Sequence, residues 1–115
     1  MEVSEDVLQK KCVNWFRVNY PAIAIHHSPN GGKRDLRTAA NLKRLGVLAG
    51  FPDIFIIEPR GEFHGLFIEL KNGSRGHVTI KQRAFIQYLK EKNYAAFVCY
   101  SFGEFQQIVN NYLCN

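Results

Sequence analysis

Asp53, Glu69 and Lys71 are the residues of this 115-residue chain whose types and spacing could do chemistry. In the run Leu66-Phe67-Ile68-Glu69-Leu70-Lys71, alternation along a strand turns Leu66, Ile68 and Leu70 to one side and Glu69 and Lys71 to the other. A carboxylate and an ammonium then stand side by side. A second apolar run, Ile54 to Ile57, is joined to this one through Pro59-Arg60-Gly61-Glu62, a link short enough for a hairpin. With the turn centred near Arg60 and Gly61 and a slip of one residue allowed, Asp53 falls opposite Ile68 or Glu69. Two neighbouring carboxylates resist joint ionisation unless a cation lies between them. An oxygen-preferring ion such as Mg²⁺ or Mn²⁺ suits that place, with the Leu70 backbone carbonyl as a further donor. The ion would polarise a phosphoryl oxygen and acidify water. Lys71 would orient or deprotonate that water, or offset charge in the transition state. Without context the same residues read as a surface ion pair on the wet face of a strand. Gly50-Phe51-Pro52-Asp53 supplies context, because it leads straight into an apolar strand and sets Asp53 at the mouth of a sheet.

These residues need a frame to hold them. Ser4 is a helix N-cap and Glu5 to about Asn19 a helix stopping before Pro21, with a core stripe of Leu8, Cys12, Trp15 and Phe16. Ala22–Ile25 is a short strand, and Ser28-Pro29-Asn30-Gly31-Gly32 a loop. Leu36–Leu45 reads as a helix ended by Gly46 at C′. Strands at Ile54–Ile57 and Phe63–Leu70 follow, then a loop at Asn72–Gly76. Thr79 and Gln82 form a capping box opening a helix to about Lys92, Ala95–Tyr100 is a strand, and Ser101 with Glu104 is a second box opening the last helix. The order α-β-(short α)-β-β-α-β-α gives an α/β fold with a mixed sheet flanked by helices, one domain over residues 1–115.

Composition sets the partners. The net charge is +5 at pH 7, and Lys33, Arg34, Arg37, Lys43 and Arg44 cluster against Asp35 alone. Such a cluster suits phosphate binding, although a solvated helix face has the same composition. Backbone amides of Asn30, Gly31 and Gly32 could also approach a phosphate, as could Lys81 and Arg83. Cys12, Cys99 and Cys114 are odd in number and unpaired in spacing, against a disulfide framework or zinc site. His26, His27, His64 and His77 lack metal-ligand spacing and read as incidental. No apolar run has the length of a membrane span, and the acidic N-terminus has no signal-like apolar stretch behind it, so a cytoplasmic location is expected.

Pro52-Asp53 and Glu69-Leu70-Lys71 resemble the two signature elements of the PD-(D/E)XK nuclease superfamily. The sequence is most similar to its VRR-NUC (virus-type replication-repair nuclease) branch, of stand-alone phage or bacterial type. The similarity runs through His27–Gly32, Leu45–Asp53, Gly65–Lys71 and Gln82. It implies a restriction-endonuclease-like α-β-β-β-α-β core and Mg²⁺- or Mn²⁺-dependent DNA cleavage. It further implies a homodimer acting on branched DNA such as four-way junctions in DNA repair. An N-terminal helix carboxylate commonly completes such a site; Glu5 matches best, with Glu2 and Asp6 as rivals. Gln82 matches a glutamine near the site in relatives, while its capping box alone would also account for it. The alternative function is a non-catalytic nucleic-acid-binding module on the same fold.

Overall fold

The computed structural model describes residues 4–29, 36–73 and 77–114, with the backbone alone at residues 36 and 37. Helix α1 spans Glu5–Asn19, and the Ser4 side chain accepts from the Val7 N–H in its first turn. Strand β1 is Ala24–His27, helix α2 Leu36–Arg44, strand β2 Ile54–Ile57 and strand β3 Leu66–Leu70. Helix α3 (Ile80–Glu91), strand β4 (Ala95–Cys99) and helix α4 (Phe102–Leu113) complete the chain, in the expected element order.

The four strands form one sheet in the order β1-β2-β3-β4. β1 and β2, and β2 and β3, are antiparallel, whereas β4 runs parallel to β3 after the α3 crossover. This is the mixed sheet flanked by helices expected from the pattern. Both sheet faces are covered. On one, Leu8, Cys12 and Phe16 of α1 and Phe105 and Val109 of α4 close over Ile54, Ile56, Leu66, Ile68 and Leu70. On the other, Ile86 and Leu89 of α3 cover Phe67 and Ala96, edged by Phe51, Phe55, Phe85 and Tyr94. Phe16 and Phe105 are fully buried, and truncating either to Ala would cost about 3–5 kcal/mol. Burial also drives the Cys12 and Cys99 thiols up, to about 12 and about 11, so both are inert core side chains.

Several local boundaries differ from the sequence reading. β1 begins at Ala24 rather than Ala22, because a turn closed by the Ile23 N–H on the Tyr20 carbonyl takes up the preceding residues. β3 begins at Leu66 rather than Phe63. Phe63 and Arg60 exchange backbone hydrogen bonds of 2.9 and 3.1 Å across the hairpin tip, and His64 donates to the Asn93 carbonyl, so the chain rejoins the ladder late. The Ser101–Glu104 box is half formed: Ser101 accepts from Glu104 N–H, but the Glu104 carboxylate accepts from Tyr100 N–H instead. Gly46, at φ +106°, ends α2 as expected, with the Val47 N–H reaching back to the Leu42 carbonyl in a Schellman arrangement. Among the described residues no helix is long and apolar enough to cross a membrane.

Candidate active site

β2 and β3 pair Ile54 with Ile68 and Phe55 with Phe67. Continuing that register by one residue sets Asp53 opposite Glu69, within the slip allowed from sequence. Two anchors hold Asp53 there. Its carbonyl accepts from Ser28 N–H at 2.8 Å and lies 3.1 Å from His27 Nδ1, tying it to the end of β1. A carbonyl only accepts, so that ring nitrogen must carry the proton. Asp53 Oδ2 accepts from Leu70 N–H at 2.8 Å, which turns its carboxylate onto β3. Before it, Pro52 is fully buried.

Glu69 is 3% exposed and Lys71 7%. Their face of the strand is dry, because α3 lies over it, and the wet-face ion pair is therefore excluded. Lys71 follows β3 directly and its N–H bonds the Cys99 carbonyl at 2.8 Å. Its Nζ lies 3.6 Å from Glu69 Oε2, an ion-pair distance too long for a hydrogen bond. Gln82 Nε2 donates to that same Oε2 at 3.1 Å. Glu69 Oε1 is buried with no hydrogen-bond partner among the described residues. Such an atom is costly to leave unmatched. Burial, then the neighbouring Asp53 carboxylate, push the Glu69 carboxyl up to about 8, with Lys71 opposing and Glu5 adding a smaller push.

The first turn of α3 shapes this pocket from above. Gln82 Oε1 accepts from Thr79 N–H at 2.9 Å while Thr79 Oγ1 accepts from Gln82 N–H at 3.1 Å. With its oxygen used in the cap, the amide has its nitrogen left for Glu69. Gly50 brings the Asp53 loop against the same turn. At φ +81°, a Cβ on it would stand 2.4 Å from the Lys81 carbonyl oxygen, so only glycine permits this approach.

The family model of the VRR-NUC domain matches residues 3–103. This chain belongs to the VRR-NUC family. A solved "VRR_NUC domain protein" is 31% identical and superposes with a TM-score of 0.83, over 99% of this chain and 91% of that one. A second solved structure, "VRR_NUC domain", is 19% identical with a TM-score of 0.63, over 94% of this chain and 96% of its own, and supports the fold alone. No curated protein matches the chain. Family and sheet together give a nuclease-type fold.

Within this VRR-NUC domain, the residues named from sequence fall into three groups. Asp53, Glu69, Lys71 and Gln82 come together, and Leu70 bonds Asp53 through its N–H. The strand alternation that gives Lys71 N–H to β4 turns Leu70 N–H and C=O toward the Asp53 side. Gln82 therefore does more than cap its helix. Glu5 is exposed in the first turn of α1, where its charge reaches Glu69. Among the described residues no three His, Cys, Asp or Glu side chains gather at metal-binding distance, so Glu5 stands off from the Asp53–Glu69 pair. Lys43 is exposed in the last turn of α2, and no hydrogen bond or ion pair joins it to the pair among the described residues. Asn30, Lys33 and Arg34, with Glu2 and the Arg37 side chain, lie outside the described residues. Sequence reasoning missed His27 and Gly50. The adjacency of His27 to the loop before Asn30, and of Gly50 to Pro52-Asp53, was the available signal.

Proposed function

We propose that this domain is a metal-dependent DNA endonuclease that hydrolyses phosphodiester bonds through Asp53, Glu69 and Lys71. The observation that carries the reading is Glu69 Oε1, buried without a hydrogen-bond partner among the described residues and beside a second carboxylate. Two carboxylates and a backbone carbonyl are hard oxygen donors of the kind Mg²⁺ and Mn²⁺ select. Asp53, Glu69 and the Leu70 carbonyl would hold the ion, with Glu5 adding negative charge nearby. A divalent ion supplies Lewis acidity toward a phosphoryl oxygen and toward water. Gln82 fixes Glu69 Oε2, which leaves Oε1 as the free ligand atom. His27 and Gly50 fix the approach of Asp53. The Lys71 ammonium, close to Glu69 but not hydrogen-bonded to it, would orient or deprotonate the water, or balance charge that grows on the phosphoryl group. Lys43 and Arg44, and the net charge of +5, favour a polyanionic substrate.

The substrate we infer is branched DNA such as a four-way junction, cut by a homodimer that supplies one site per strand. Support comes from family membership. The test incubates the protein with labelled junction and linear duplex in Mg²⁺, Mn²⁺ or EDTA. Metal-dependent cutting, lowered about 10³-fold or more by Asp53→Asn, Glu69→Gln or Lys71→Ala in folded protein, is the expected result. Asp53→Asn cutting like wild type would overturn the mechanism. DNA bound yet uncut in every metal would favour the non-catalytic binding module.

A further inference from the structure

Apart from Arg83, named from sequence as a phosphate contact, one surface beside the site has no role in the reading above. A groove of about 650 Å³ runs between α3 and the outer edge of β4, lined among others by Ile80, Arg83, Lys90, Phe97 and Tyr100. We infer that this groove binds single-stranded nucleic acid leaving the active site; the inference rests on the nuclease reading for its biological sense, though not for its test.

Charge comes first. Arg83 and Lys90 are both exposed, neither has an ion-pair partner among the described residues, and none of the groove's lining residues is acidic. Seven residues apart on one helix, they set two cations roughly 10 Å apart along the groove. Arg60, at the hairpin tip, is by contrast matched by Glu58. Two unmatched cations facing one trough suit a polyanion.

Aromatic surface comes second. Tyr100 is 38% exposed and Phe97 45%, and both line the groove. Exposed rings beside a cationic track are the recurrent platform for unpaired bases, which stack on them regardless of sequence. A duplex keeps its bases stacked internally and cannot use them.

Position comes third. Arg83 follows Gln82, whose amide holds Glu69, and the Tyr100 carbonyl accepts from Gly73 N–H in the loop leaving Lys71. The groove therefore begins where the candidate active site ends. Ala95 N–H bonds Gly65 and the Cys99 carbonyl bonds Lys71, so alternation turns the amides of Ala96 and Val98 outward to the groove rim. An open edge could also accept a second copy of the chain. A two-fold pairing about Phe97 would bring Lys90, which lies beside Phe97, to the seam from both copies. That like-charge meeting disfavours the copy and favours the polyanion.

The test is fluorescence anisotropy of a short labelled oligothymidylate with the intact protein in EDTA, so that cutting is not needed for the readout. Arg83→Ala/Lys90→Ala is expected to weaken binding about tenfold and to reduce the slope of log affinity against log salt by about 1.4. Tyr100→Ala is expected to weaken it by about tenfold with the salt slope unchanged. Lys92→Ala, beyond the helix end, serves as the neutral control. No binding by wild type, or equal binding by all variants, overturns the inference. So does unchanged affinity accompanied by conversion of a dimer to monomer in sedimentation, which would make the groove a protein interface. Oligothymidylate bound as described, with no DNA cut in any metal, would instead sink the nuclease reading and leave the groove standing.

Discussion

The chain contains the pattern Glu-x-cation at two neighbouring places, Glu58-Pro59-Arg60 and Glu69-Leu70-Lys71, and the two do opposite things. Glu58 and Arg60 sit at the hairpin tip, about a third exposed, and pair directly. Arg60 also donates to the Pro59 and Leu113 carbonyls. That pair fastens the turn to the end of α4 and leaves nothing unsatisfied. Glu69 on β3 and Lys71 just past its end lie six and eight residues beyond Phe63, under α3, close but not hydrogen-bonded, with an orphaned oxygen and Asp53 alongside. Identical spacing yields a clasp where water reaches it and, in the function proposed above, a cation seat where water does not. Burial, rather than the motif, separates the two pairs.

Proton linkage should separate the pairs most widely. A carboxyl held near 8 in the folded chain, against 4.5 as the ordinary value, keeps its proton while the unfolded chain loses it. Its stabilising contribution is therefore complete below about pH 4.5 and lost as pH rises toward about 8. In urea titrations without metal, wild-type stability is expected to fall across that window by on the order of 3 kcal/mol. Glu69→Gln should remove the slope and Glu58→Gln should leave it; equal slopes in both variants would erase the distinction between the pairs.

A smaller effect sharpens what positions the inner pair. Gly46 and Gly50 both have positive φ, at +106° and +81°, but a Cβ on Gly46 meets nothing within 4 Å whereas one on Gly50 meets the α3 backbone. Gly46→Ala should cost about 1 kcal/mol from backbone strain alone. Gly50→Ala should cost about 1–3 kcal/mol more, because the loop and the helix must separate. It should also shift the Gln82 side-chain amide resonances in the metal-free protein, which Gly46→Ala should not. Matching spectra for the two variants would show that Gly50 has no hold on the site.

What the sequence revealed follows the range of each interaction. Ser4, Gly46 and the Thr79–Gln82 box act within a turn of their own chain, and each performs its expected role. Asp53 opposite Glu69 was reachable because a short hairpin leaves few registers. The burial of Glu69 and Lys71 was not, since it depends on α3 closing over a face whose charges alone suggest water. The second bond of Gln82, the His27 contact and the approach of Gly50 to Lys81 join residues 13 to 31 positions apart, and no local pattern encodes them. Glu104 shows the converse: a correct capping pattern whose side chain found a different N–H.

The central claim is that Glu69 and Asp53 together form a cation seat, and calorimetric titration of the metal-free protein with Mn²⁺ at pH 7 tests it most directly. A carboxyl protonated near neutrality must release its proton when a cation takes its place. The heat measured in buffers of different ionisation enthalpy should therefore report about one proton released per ion bound. Asp53→Asn and Glu69→Gln should abolish both the binding and the proton release, with Glu58→Gln unchanged. Binding without proton release, or undiminished binding by Asp53→Asn, would contradict the account.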